Sequence, residues 1–193
     1  MNASLQAVRA RNLRTVALLA ALFLIPLLLA FCMYYGASWR PAQRTNHGEL
    51  ILPVRNLPRA SAAYGATTFT HAWSLVYVGA GACDDVCKGA LYVMQQTQLG
   101  LNHDMHRVQR VFLATGPFDM QESFVHEHPG LIVIHAAGPE TEELVRQFPE
   151  DGRAHAIFIV DPLGNLMMGF DTRENPKGLR EDLIKLLTLS NIG

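Results

Sequence analysis

The chain is poor in the residues that would put it in several common classes. It has three cysteines in 193 residues, too few for a disulfide-stapled scaffold, and a chain this long can bury a self-sufficient core without staples. Basic residues are not in excess. Setting aside Arg9, Arg11 and Arg14, residues 36 to 193 hold 13 basic and 17 acidic side chains, a formal charge of −4. No basic stripe suited to a phosphate backbone is present, so nucleic acid is excluded as a partner. Internal repeats and low-complexity blocks are missing too, which removes solenoids and arrays.

Charge is absent altogether from residues 15 to 35, TVALLAALFLIPLLLAFCMYY. These 21 residues are enough to cross roughly 30 Å of hydrocarbon as a helix. A signal peptide would have a shorter apolar region followed by a small-x-small cleavage site. The best local match, around Gly36-Ala37-Ser38, is poor, so an uncleaved anchor is expected. Cys32 is read as a lone thiol in that helix, because the bulky Phe31 before it argues against lipidation. Arg9, Arg11 and Arg14 on one side are balanced by Arg40, Arg44 and Arg55 on the other. A short tail ending in three arginines is a poor candidate for export, which places the N-terminus in the cytoplasm.

The expected organisation is a cytoplasmic tail over 1–14, a transmembrane anchor over 15–35, an extended linker over 36–70 and a folded domain over 71–193. The linker assignment follows from Pro41, Gly48, Pro53, Pro58 and Gly65 without sustained periodicity. From Trp73 a β-rich run, WSLVYVG, leads into a helix over 84–99. A second strand is expected over 107–114, an irregular or helical connection over 117–125, and a short strand over 131–135. A helix over 139–148 opens with Pro-Glu-Thr-Glu-Glu, acidic residues suited to a helix N-terminus. Strands over 154–160 and 166–170, joined through Asp161-Pro162-Leu163-Gly164-Asn165, must run antiparallel. An amphipathic helix over 176–189 follows. The order β–α–β–α, hairpin, helix is that of an α/β, thioredoxin-like fold, a mixed sheet flanked by helices.

Two cysteines, Cys83 and Cys87, fall between the end of the first strand and the first turn of its helix, where ligands and reactive groups gather. Cysteines at i and i+4 share a helix face, and the exposed N–H groups there favour thiolate. Asp84 and Asp85 oppose further negative charge while capping the helix. Such a pair can exchange disulfides, bind a soft metal, or serve as a plain stabilising bond.

Most of the eight histidines are poor third ligands. His103 and His106 are separated from the cysteines by a 16-residue helix, about 24 Å. His126 and His128 belong to a polar loop, and His47 and His71 lie in or beside the linker. His155 differs, because its strand runs antiparallel beside the cysteine-bearing strand and starts where that one ends. His135, closing another apolar run, is the reserve candidate. Thioredoxin-like oxidoreductases carry a cis-proline at the position of Arg153-Ala154-His155, and its absence, with the CxxxC spacing, disfavours ordinary disulfide exchange. Two thiolates and one imidazole suit Cu(I) and Cu(II).

The run Cys83-Asp84-Asp85-Val86-Cys87 after a Val-Gly strand, a later histidine before Ile157-Phe158-Ile159-Val160-Asp161-Pro162-Leu163-Gly164-Asn165, and one N-terminal span together resemble the Sco/SenC family of cytochrome c oxidase assembly proteins, over roughly residues 70 to 190. Where the family shows CPDVCP, Asp84 and Lys88 replace its prolines. The resemblance implies copper as cofactor or cargo, with Cys83, Cys87 and His155 as ligands. It also implies a role in maturing the copper-A centre of oxidase subunit II, by delivering copper or by reducing its cysteines, with subunit II or other assembly factors as partners. The site implied is a bacterial inner membrane, with the soluble domain in the periplasm. A stoichiometric assembly role fits better than turnover. The rivals are a membrane-tethered thiol:disulfide oxidoreductase and a non-catalytic thioredoxin-like scaffold.

Overall fold

The structure, a computed structural model, describes residues 2–35, 46–58, 69–118, 122–174, 176–190 and 192. The chain divides into two compact units, Met1–Thr45 and Asn46–Gly193. In the first, helix α1 (Asn2–Tyr35) carries a 24-residue stretch, Asn12–Tyr35, apolar enough to cross a membrane. At 1.5 Å per residue this stretch is about 36 Å long, slightly more than a bilayer's hydrocarbon thickness. Its leucines and phenylalanines are exposed within the protein itself, as a lipid-facing helix requires. The expected tail over 1–14 is helical from Asn2 onwards. The cleavage-site candidate at 36–38, together with Arg40 and Arg44, lies outside the described residues.

The second unit is built on one six-stranded sheet. In chain order its elements are β1 (Glu49–Asn56), β2 (Trp73–Ala80), α2 (Asp85–Leu99), a 3-10 helix (Asn102–Arg107), β3 (Val108–Thr115), α3 (Glu122–Glu127), β4 (Leu131–Ala136), α4 (Pro139–Arg146), a 3-10 turn (Arg153–His155), β5 (Ala156–Val160), β6 (Asn165–Asp171) and α5 (Pro176–Leu189). The strand order is β1-β6-β5-β2-β3-β4. Strands β2, β3 and β4 are parallel, and β5, β6 and β1 add on antiparallel.

Strand β2 is central and buried from Trp73 to Val78, which is why it reads as a continuous apolar run. Its alternate residues divide between two cores, as the period of two demands. Leu75 and Tyr77 pack with Leu91 and Met94 of α2 and Leu179 and Leu183 of α5 on one face. Val76 and Val78 pack with Leu144 of α4 and Phe148 on the other. The result is the expected mixed sheet with helices on both faces.

The expected linker over 36–70 contains a strand. β1 pairs with β6 at Glu49↔Gly169 and Leu50↔Met168, slips, and resumes at Arg55↔Leu166 and Asn56↔Asn165. Pro53 lies inside the slip, where no ladder donor is needed, and a proline on an edge strand is tolerated there. Exposure along both sides of ELILPVRN removes the alternation that would have marked it.

Candidate functional site: a buried disulfide at the end of β2

Where β2 ends, the backbone is pinned to its neighbour. Gly81 N–H donates to the Thr115 carbonyl at 2.8 Å, and Gly81 fits so closely that an added Cβ would lie 2.3 Å from the Pro117 oxygen. The chain then turns through Cys83, whose N–H reaches the Ala80 carbonyl at 3.0 Å and whose φ of 41° is left-handed. This conformation is uncommon for a residue with a side chain and clusters at functional sites. Asp84 caps α2: its carboxylate accepts from Cys87 N–H at 3.0 Å, and its carbonyl accepts from Lys88 N–H at 2.9 Å.

This geometry brings Cys83 and Cys87 together as a disulfide with a Cα–Cα distance of 5.0 Å. Both are buried, at 5 % and 2 % exposure, within the α2–α5 core, against which Phe118 and Phe124 also pack. On the chain-entropy account, a bond closing so short a loop adds only about 2 kcal/mol. Its placement says more than its contribution to stability.

His155 arrives from the other side of β2. Gly152, at φ 70°, starts the 3-10 turn. His155 N–H donates to the Gly152 carbonyl at 2.9 Å, and its own carbonyl accepts from Thr172 N–H at 2.7 Å. Tyr77 of β2 pairs with Ile157 of β5, and extending that antiparallel register places His155 level with Gly79, four residues before Cys83. The turn packs against α2. The Tyr77 hydroxyl crosses the gap and donates to the Ala154 carbonyl at 3.0 Å. Among the described residues, no group of three or more His, Cys, Asp and Glu side chains is assembled as a metal site. With the disulfide closed, His155 and the two sulfurs are neighbours by topology without forming a ligand set.

His135 has a different setting. It is the next-to-last residue of β4, paired with Ala114 of β3, and so stands two strands from β2, about 10 Å away. Its Nε2 lies 2.7 Å from the Gly116 carbonyl, tying β4 to the loop that abuts Gly81. His103 and His106 sit in the 3-10 helix beyond the far end of α2, remote from the cysteines as expected. His47 contacts Asp182 at 3.1 Å and Glu181 at 3.6 Å. His128 is held below the usual histidine range, chiefly by burial.

The electrostatics around the disulfide are acidic. Burial, reinforced by the charge of Asp84, holds the Tyr77 phenol above its usual range. Asp171, paired with Ala156 across the hairpin, is pulled down to about 2, mainly by hydrogen bonding to Arg173, with a small contribution from His155. Tyr77 is the site residue that sequence reasoning missed. Its signal was a phenolic hydroxyl in a mostly apolar strand, a group that seeks a partner when buried.

A family model described as "Transmembrane-like, thioredoxin-like, C-terminal domain" matches residues 73–190. No curated protein matches the sequence. Solved structures with the same fold include copper-bound ScoI of Arabidopsis thaliana, at 18% identity over 63% of this chain and 87% of that one (TM-score 0.51). Copper-bound yeast Sco1 is similar at 15% identity over 62% and 80% (TM-score 0.53). Apo Sco1 of Thermus thermophilus is similar at 18% identity over 77% and 99% (TM-score 0.55). At these identities the likeness is one of fold. With its matched domain spanning β2 to α5 behind one apolar helix, the chain belongs to the family of transmembrane-like, thioredoxin-like C-terminal domains.

Proposed function

We propose that this chain is a membrane-anchored, Sco-like protein that assists assembly of the copper-A centre in cytochrome c oxidase subunit II, by carrying copper or by reducing the cysteines that will hold it. The observation that carries this reading is the cysteine pair itself: Cys83 and Cys87 are joined where β2 meets α2, beside the turn that bears His155. The copper-bound Sco structures of the same fold support it.

The donor set fits copper once the bond is reduced. Two thiolates on one helix turn suit Cu(I), and an imidazole adds the nitrogen that Cu(II) prefers. Reduced cysteines bind metal and a disulfide does not, so loading is coupled to redox state. His155 is the proposed third ligand and His135 the reserve. The proposed location is a bacterial inner membrane, with residues 46–193 in the periplasm.

The closed disulfide favours a second reading, a thiol:disulfide oxidoreductase that works through mixed disulfides without metal.

The deciding experiment is Cu(I) binding by the reduced full chain in detergent, in competition with a chromogenic chelator, beside His155→Ala and Cys83→Ser/Cys87→Ser variants. One-to-one binding that is lost in the cysteine variant and weakened by His155→Ala supports copper carriage. No binding by the wild type rejects it and leaves the thiol reductant, which must then form a mixed disulfide with subunit II, and the non-catalytic scaffold, which needs neither cysteine.

A further inference from the structure

Tyr77 joins the two halves of the site. It stands on β2, six residues before Cys83, and is 2 % exposed. Its ring stacks on Phe112 at a centroid distance of 6.0 Å, and Gly79 leaves room for it: a Cβ there would lie 2.6 Å from the ring and 3.2 Å from the hydroxyl oxygen. The ring is therefore confined on two sides, and its hydroxyl is aimed at one acceptor, the Ala154 carbonyl, at 3.0 Å. Ala154 is the central residue of the short turn Arg153–His155. Beyond Tyr77, that turn is held by backbone bonds, Arg153 N–H to Glu150, His155 N–H to Gly152 and Thr172 N–H to His155, and by the Arg153 guanidinium, which donates to the Pro149 and Phe148 carbonyls at 2.9 and 2.6 Å. All of these link it to its own chain segment or to the β6 side. Tyr77 alone among these bonds connects the turn to the strand that delivers the cysteines.

We infer that Tyr77 is a positioning residue: its hydrogen bond to Ala154 sets where His155 stands relative to Cys83 and Cys87. This rests on the functional reading above only in making His155 part of the site. The Arg153 bonds tie this three-residue turn to the segment before it, whereas the buried Tyr77 hydroxyl bound to the Ala154 carbonyl fixes it against β2, a central buried strand. Partners that orient a ligand in this way change metal affinity when removed, by 10–100-fold in typical sites.

Two variants test this in the full chain in detergent. Tyr77→Phe deletes the hydroxyl and keeps the ring. Gly79→Ala keeps the hydroxyl and pushes the ring away. The first readout uses the oxidised, metal-free protein, with NMR of isotope-labelled histidine. Both variants are expected to move the His155 imidazole resonances while those of His47 and His71 stay in place. His155 resonances that coincide with wild type in Tyr77→Phe overturn the assignment.

The second readout is Cu(II) affinity of the reduced protein. Tyr77→Phe should weaken it 10–100-fold, with no further loss when combined with His155→Ala. An equal loss with and without His155 shows that Tyr77 does not act through that residue, and overturns the assignment. If the wild type takes up no copper, copper carriage fails, and the NMR readout still decides the role of Tyr77.

Discussion

The Asp84 carboxylate accepts the backbone N–H of Cys87 at 3.0 Å, so the residue that starts the helix also sets a negative charge beside the thiol chemistry. The two effects separate by substitution. Asp84→Ala removes cap and charge together and should cost about 1 kcal/mol of stability. Asp84→Asn keeps a capping oxygen and should change stability by only a few tenths of a kcal/mol. With the neighbouring charge removed, thiolate forms more readily. The reduced Asp84→Asn protein should therefore be alkylated by iodoacetamide at lower pH than wild type. Asp84 is exposed, so the difference should shrink in high salt. An unchanged alkylation profile at low salt would count against any electrostatic role for Asp84.

Gly81, two residues before Cys83, is where the start of the loop after β3 meets the end of β2. A Cβ at 81 would lie 2.3 Å from the Pro117 carbonyl oxygen and 2.8 Å from the Phe118 Cβ, and backbone cannot yield as a flexible side chain does. Gly81→Ala should destabilise the domain by about 1–3 kcal/mol. Displacing Phe118, which packs against the core containing both cysteines, should also speed reduction of the disulfide by dithiothreitol. Thermal melts and a thiol assay in time course check the two effects separately. A destabilised variant reduced at the wild-type rate would show that this loop does not shield the sulfurs.

Asp182 is a buried carboxylate with three partners at the entry to β1. It accepts from His47 N–H at 2.7 Å and Gly48 N–H at 2.9 Å, and meets His47 Nδ1 at 3.1 Å. Asp182→Ala leaves two backbone donors without an acceptor, each costing roughly 1–3 kcal/mol. The melting temperature should fall, and amide exchange at Gly48 should accelerate more than exchange in β2. Uniform acceleration across the sheet would mean that Asp182 supports the core as a whole rather than the attachment of β1.

The elements easiest to read from sequence are those whose burial is simple. WSLVYVG is buried on both faces and announces itself. The helix beginning at Asp85 carries its own cap, and the Asp161–Asn165 turn dictates an antiparallel hairpin. β1 is hidden because an exposed edge strand with Pro53 at a slip obeys no periodicity. The approach of His155 to the end of β2 is legible from strand direction alone. The bond from Tyr77 to Ala154 is not, because it joins residues 77 apart in sequence and depends on the depth at which one ring is buried. Whether Cys83 and Cys87 are a closed disulfide or an open dithiol is likewise beyond spacing, which permits both.

The pairing of Asp171 with Arg173 yields a dependence on pH. Hydrogen bonding to Arg173 holds the folded-state pKa of Asp171 at about 2, below the ordinary carboxylate value of about 3.9. A depressed acid stabilises the folded state fully above its unfolded pKa, and that stabilisation is lost as pH falls through the folded value. The window is therefore about pH 4 to pH 2. Both side chains are substantially exposed, at 34% and 65%, so solvent screening leaves the pair only a small contribution. Asp171→Asn should lose that contribution at pH 7 and show a correspondingly shallower loss of stability between pH 4 and pH 2 than wild type. Urea melts at pH 7, 4 and 2 give the comparison. Parallel curves for the two proteins across the acid range would mean that the ion pair leaves folding unaffected and that the acid sensitivity of the domain arises from other carboxylates.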